Sequence, residues 1–110
     1  MEQHINNYSK IQLMSLQNKA NAAVMKCKKV LINIIKEFII LKGDENKVYV
    51  PKQPITIHEA LCPCVFYITE FYIKDDCVYF NDDEWGCEWN CSLLTINELA
   101  AIIEKLQYEF

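Results

Sequence analysis

One segment, residues 9–42, constrains this chain more than any other. Apolar side chains recur at Leu13, Leu16, Ala20, Ala23, Cys27, Val30, Ile34 and Leu41 in alternating steps of three and four, with Glu37 the one break. That spacing lines one face of an α-helix. Ser9 and Gln12 have capping-box spacing and Tyr8 with Leu13 can form a hydrophobic staple, so the helix is predicted to start at Ser9. Lys42 suits the negative end of the helix dipole, and Gly43 is read as the left-handed residue that ends it. Unbroken, such a helix is about 50 Å long at 1.5 Å per residue. A compact chain of this size has a radius of gyration of only roughly 13 Å. The helix must therefore break or project beyond its own domain to meet a partner. Ala20, Ala23 and Cys27 are small and suit close approach by another helix, while Asn18 and Asn21 weaken the same stretch by propensity. Either a kink near residues 17–22 or a continuous helix packed against a second copy is expected.

The 110 residues are enough for one domain with a single core, and an apolar fraction of 52% excludes a disordered chain. The opening residues lack the basic-then-apolar profile of a signal peptide. The greasy stretch 31–41 is interrupted by Lys36 and Glu37, so no membrane partner is expected. This is the profile of a soluble, cytoplasmic protein, in which six cysteines read as free, mostly buried thiols rather than disulfides. Net charge is −4, unevenly placed. Residues 1–42 hold seven lysines against two acids, and the remainder four lysines against thirteen acids. There is no arginine, the side chain best suited to bidentate contacts with phosphate and guanine. The basic helix is therefore read as a solvated face attracted to its own acidic remainder, with no nucleic-acid partner.

Beyond Gly43, residues 47–50 read as a short strand ended by Pro51. Residues 56–59 fit either a capped helical turn or a strand. Residues 65–73, 77–81 and 87–93 read as an antiparallel meander, the last alternating most clearly through Cys87, Trp89, Cys91 and Leu93. Thr95 and Glu98 form a second capping box, opening a helix over 95–107 whose apolar stripe is Leu99, Ile102, Ile103 and Leu106. The fold class is α+β: a flexible start over 1–8, a long N-terminal helix over 9–42, a three- to four-stranded antiparallel sheet within 43–94, and a C-terminal helix on one sheet face. A three-residue loop at Lys74-Asp75-Asp76 would pair Ile73 with Cys77, and a loop at 82–86 would pair Phe80 with Trp89. Phe66, Ile68, Tyr72, Val78, Phe80, Trp89, Cys91 and Leu93 then face the helices. Tyr67, Phe71 and Tyr79 are left on the opposite face, as an aromatic patch that marks an interface unless residues 43–62 cover it.

Candidate chemistry is sparse. Cys62, Cys64, Cys87 and Cys91 are the one set of thiols that could hold zinc, but Cys87 and Cys91 on one strand would be about 13 Å apart at 3.3 Å per residue. Nothing places His4 or His58 beside a thiol or an orienting acid. Asp75-Asp76 and Asp82-Asp83-Glu84 lack the alternating ligands and glycine of a calcium loop and read as turns. No cofactor and no catalytic residue is expected. The reading is a small non-enzymatic protein–protein interaction module, a homodimer or a subunit of a complex. Its interface residues are Tyr67, Phe71 and Tyr79 on the sheet with Ala20, Ala23 and Cys27 on the helix. The alternative is a small zinc-binding or thiol-dependent protein built on the cysteine pairs.

Overall fold

The computed structural model describes residues 2–58 and 65–109, with side chains from residue 9 onward. Helix α1 (Glu2–Lys42) is followed by strands β1 (Val48–Tyr49), β2 (Ile55–His58), β3 (Val65–Lys74), β4 (Cys77–Asp82) and β5 (Cys87–Asn90). A 3-10 turn (Cys91–Leu93) then leads into helix α2 (Ile96–Gln107). The architecture is α+β, two helices on one face of an antiparallel sheet.

Helix α1 is continuous over 41 residues, and no break interrupts residues 17–22. Ser9 lies inside it rather than capping it, seven residues beyond its first residue. At ~1.5 Å per residue, 41 residues span about 61 Å, and the molecule's longest dimension is 61 Å against 29 and 24 Å. Gly43 ends the helix for a reason other than the one expected. It does not take the left-handed conformation. A Cβ there would collide with the Ile39 carbonyl oxygen and lie 2.9 Å from that of Val48, so close backbone approach requires the glycine. Asp44 then organises the turn, its carboxylate accepting from the backbone N–H groups of Asn46 and Val48.

The ten-residue β3 is the axis of the sheet. Strand β4 lies along one edge, while β1 and β2 share the other, β1 beside Phe71 and Tyr72 and β2 beside residues 65–68. The 43–58 segment therefore adds two short strands to the sheet and does not lie over its outer face. For residues 55–58 the strand reading wins; Glu59, Cys62, Pro63 and Cys64 lie outside the described residues.

The β3–β4 register differs from expectation by one residue. Lys74 pairs with Cys77, leaving a two-residue turn at Asp75 and Asp76, whose φ angles are +52° and +63°. Both central residues left-handed is the type I′ hairpin, whose twist matches the strands it joins. Phe71 then faces Phe80 and Tyr72 faces Tyr79. A bulge between Ile68 and Glu70 restores the earlier parity, so Phe66 and Ile68 share the inner face with Phe71. The expected pairing of Phe80 with Trp89 is present, with Asp82 opposite Cys87.

The core lies between this face and the helices. Ile35, Phe38 and Ile39 from α1 and Leu99, Ile102 and Leu106 from α2 cover Ile55, Ile57, Phe66, Ile68, Phe71, Val78 and Phe80. Phe66 packs edge-on against both Phe80 and Trp89, with centroids 5.6 and 5.4 Å apart. The predicted capping box of α2 is present: Glu98 N–H donates to Thr95 Oγ1 at 3.1 Å and Thr95 N–H to Glu98 Oε1 at 2.7 Å. Strand β5 ends earlier than alternation suggests, because the Asn90 side chain accepts from Ser92 N–H and starts the 3-10 turn. Cys91 stays buried, but Leu93, expected in the core, is 69% exposed.

Candidate interaction surfaces

Helix α1 carries two apolar stripes. The one that holds the domain together is Leu31, Ile35, Phe38 and Ile39, with Ile32 beside it. Its spacing of four, three and one is also helical, but in the sequence it is the shorter of the two stripes and the three-four stripe masks it. The three-four stripe is exposed from end to end. Leu13 and Leu16 are each 58% exposed, Val30 55%, Ile34 44% and Leu41 76%, and Ala20, Ala23 and Cys27 between them are exposed as well. All of residues 10–27 are exposed, about five turns of helix standing clear of the domain.

Two polar ties hold the root of this helix. Lys28 Nζ donates to the Ser92 carbonyl at 2.8 Å, and Lys36 pairs with Asp76 in the β3–β4 turn. The hydrogen bond from Lys36 holds the Asp76 carboxyl below its ordinary range. Where α1 runs beside α2, an apolar groove of about 250 Å³ opens between them, lined by Ile34, Phe38, Leu41, Ile103 and Leu106, with Glu37 and Gln107 at its polar edge. Ile34 and Leu41 belong to the exposed stripe, so the groove continues it onto the domain.

The outer sheet face is not the aromatic patch expected. Phe71 is fully buried, because the two-residue turn moves it to the inner face. Tyr67 is 38% exposed and Tyr79 half-buried. Tyr72 takes the place assigned to Phe71, its ring stacked on Tyr79 at 5.8 Å with 13° between planes. Polar groups occupy the rest: Lys74 Nζ sits 4.8 Å above the Tyr79 ring and 3.2 Å from Glu88, Tyr72 OH donates to Glu88, and Asn81 Nδ2 donates to Glu70. Tyr72 is thus hydrogen-bonded at its tip, and the Tyr79 ring lies under the Lys74 charge. The register shift removed the contiguous apolar surface that would have marked an interface.

Asp82, expected in a turn, is a buried carboxylate at the end of β4. Its Oδ1 accepts from the N–H groups of Tyr67 and Glu84, both at 3.0 Å, and its Oδ2 from Trp89 Nε1 at 3.1 Å. It braces the bulge, the β4–β5 turn and the indole together. An acidic hollow beside it is lined by Thr69, Asn81, Asp83, Cys87 and Glu88. Glu109 braces the other end of the sheet, accepting from Tyr49 OH at 2.5 Å and from Lys52 N–H at 2.7 Å. Burial, with Glu109 beside it, raises the Tyr49 hydroxyl above its ordinary range.

The described thiols do not converge. Cys27, Cys77 and Cys87 are exposed and Cys91 is buried, which corrects the expectation that most thiols would be internal. Desolvation pushes the Cys91 thiol up to about 12. Cys62 and Cys64 lie outside the described residues, and among the described residues no group of three or more His, Cys, Asp or Glu side chains could hold a metal ion. His58 is exposed on β2, opposite Val65, and no described helix is long and apolar enough to cross a membrane. No protein-family model, curated protein or solved structure matches this chain.

Proposed function

We propose that this chain is a small non-enzymatic interaction module that presents its long helix to a partner protein. The observation that carries the reading is the three-four stripe, exposed from Leu13 to Leu41 and lying outside the domain's core. An isolated helix is marginal in water, and most helical stability in proteins comes from packing an apolar face. Five exposed turns bearing leucines in register are therefore stabilised by what covers them. The sheet face, whose tyrosines sit among charged and polar side chains, contributes little to this role. The same reading assigns the protein to the cytoplasm, where exposed thiols such as those of Cys27, Cys77 and Cys87 stay reduced.

A photo-crosslinking amino acid at Leu16 tests the reading in cells that express the protein. Discrete covalent adducts are expected, and they should disappear when Ile34→Glu is added to the stripe. Absence of any adduct, together with coil-like amide exchange over residues 10–27 in the purified protein, would reject it.

A further inference from the structure

Which protein covers the stripe can be argued from the stripe itself. We infer that the occupant is a second copy of this chain, docked antiparallel so that its residues 9–27 run along the first copy's α1 and the groove beside α2. This rests on the interaction reading above and commits it to one partner and one alignment.

Three observations carry it. The first is how the two stripes of α1 behave where the domain ends. Continued toward the N-terminus, the stripe that packs on the sheet runs through Lys28, Val24, Asn21 and Gln17, polar at three of the four positions. The three-four stripe stays apolar through Ala23, Ala20, Leu16 and Leu13. Apolar character therefore persists more fully along the three-four stripe, which the domain leaves exposed.

The second is self-complementarity. With Ala23 opposite Cys27 of the second copy, antiparallel helices bring Ala20 to Val30 and Leu16 to Ile34, and the twofold axis repeats each pair. Small residues meet at the centre, where helices approach most closely, and large ones meet toward the ends. Glu37 then falls beside Leu13, within one turn of Lys10 on the basic and acid-free stretch 10–29. A parallel pair would set Glu37 against Glu37 inside the seam, a like-charge contact with nothing to offset it. The one break in the stripe thus selects the antiparallel alignment. Ile34 and Leu41 line the groove with Ile103, so the incoming Leu16 and Leu13 also cover the apolar groove between α1 and α2.

The third is area. The chain exposes 7910 Å², whereas a compact monomer of 12.9 kDa exposes about 6,300 Å². The excess, about 1,600 Å² per chain, is ample for a stable two-chain interface, which buries roughly 800 Å² on each partner.

The test is the mass in solution combined with the position of disulfide cross-links. The purified chain should sediment at twice 12.9 kDa at micromolar concentration. Leu16→Glu and Ile34→Glu should each weaken self-association by ~100-fold or more, with helical circular dichroism lost only from the projecting turns and the cooperative unfolding of the domain retained. Under mild oxidation Ala23→Cys should yield a covalent dimer whose peptides map to residue 23 of one copy and Cys27 of the other. A monomer at ~100 μM would overturn the proposal, as would a dominant link between Cys27 and Cys27 in the wild-type dimer, which reports parallel helices. If the chain is monomeric but photo-crosslinks through residue 16 to a different protein, the second copy is excluded and the interaction reading stands. If it is monomeric and forms no adduct, both fail.

Discussion

At the residue scale, two buried groups matter most and both were misread or only half read from the sequence. Asp82 looks like a turn former in the run Asp82-Asp83-Glu84, yet it is 2% exposed and its carboxylate accepts three hydrogen bonds. Removing it leaves the Tyr67 and Trp89 donors without their acceptor in a part-buried setting. Asp82→Ala should therefore lower stability by ~3 kcal/mol, read from the urea midpoint at unchanged m-value. Cys91 was placed in the core by alternation and is there, although from a 3-10 turn rather than a strand. Cys91→Ala should cost on the order of 1–2 kcal/mol in lost packing. Its protonation adds a pH signature. The folded thiol holds its proton up to about 12, while the unfolded thiol releases it near the ordinary value of 9. Between those values the unfolded state binds fewer protons, so stability must fall as pH rises. The melting temperature of the wild type should drop more steeply than that of Cys91→Ala between pH 8 and pH 10.5. Parallel slopes would show that the thiol is not buried as described.

At the scale of elements, the decisive feature is the pairing of one bulge with one tight turn in the β3–β4 hairpin. The turn at Asp75 and Asp76 shifts the register by one residue, and the bulge at residue 69 shifts it back. Between the two, Phe71 moves inward and Tyr72 outward. Because side chains alternate with period two, neither change works without the other. Deleting Thr69 should force either Phe66 and Ile68 or Phe71 and Ile73 out of the core, and the variant should lose its cooperative thermal transition. Tyr72→Thr, on the outer face, should stay within about 1 kcal/mol of the wild type, as expected for a half-exposed strand position. A folded Thr69 deletion with a native-like melting curve would mean that the bulge does not set the register.

At the scale of the whole molecule, shape carries the argument. A radius of gyration of 18.1 Å is well above the roughly 13 Å of a compact chain this long, and the difference is the projecting helix. Coupling between folding and association follows. A second copy that binds only the folded chain raises the melting temperature by mass action. The midpoint should therefore climb by several degrees between 1 and 100 μM protein, and Leu16→Glu should abolish that dependence. A concentration-independent midpoint in the wild type would separate the stability of the domain from any pairing of its helix.

Much of the architecture was legible in the residues alone. The three-four spacing declared a helix ending near Lys42, Thr95 with Glu98 declared the start of the last helix, and alternation from Cys87 declared a strand facing Phe80 through Trp89. These signals are local: hydrogen bonds to orphan backbone groups and side-chain periods of 3.6 or 2 act within a few residues. Three matters were decided only in three dimensions. Which stripe of α1 the sheet covers depends on where the sheet stands, since both stripes have helical spacing. Which aromatic rings of the hairpin are buried depends on a turn one residue shorter than it looked and on an unannounced bulge. Gly43 was legible as a stop but not in its cause, which is the close approach of two carbonyls, that of Ile39 and that of Val48, five residues on and brought back against it. Local chemistry sets what each segment becomes, and the contacts between distant segments choose which face of it is buried.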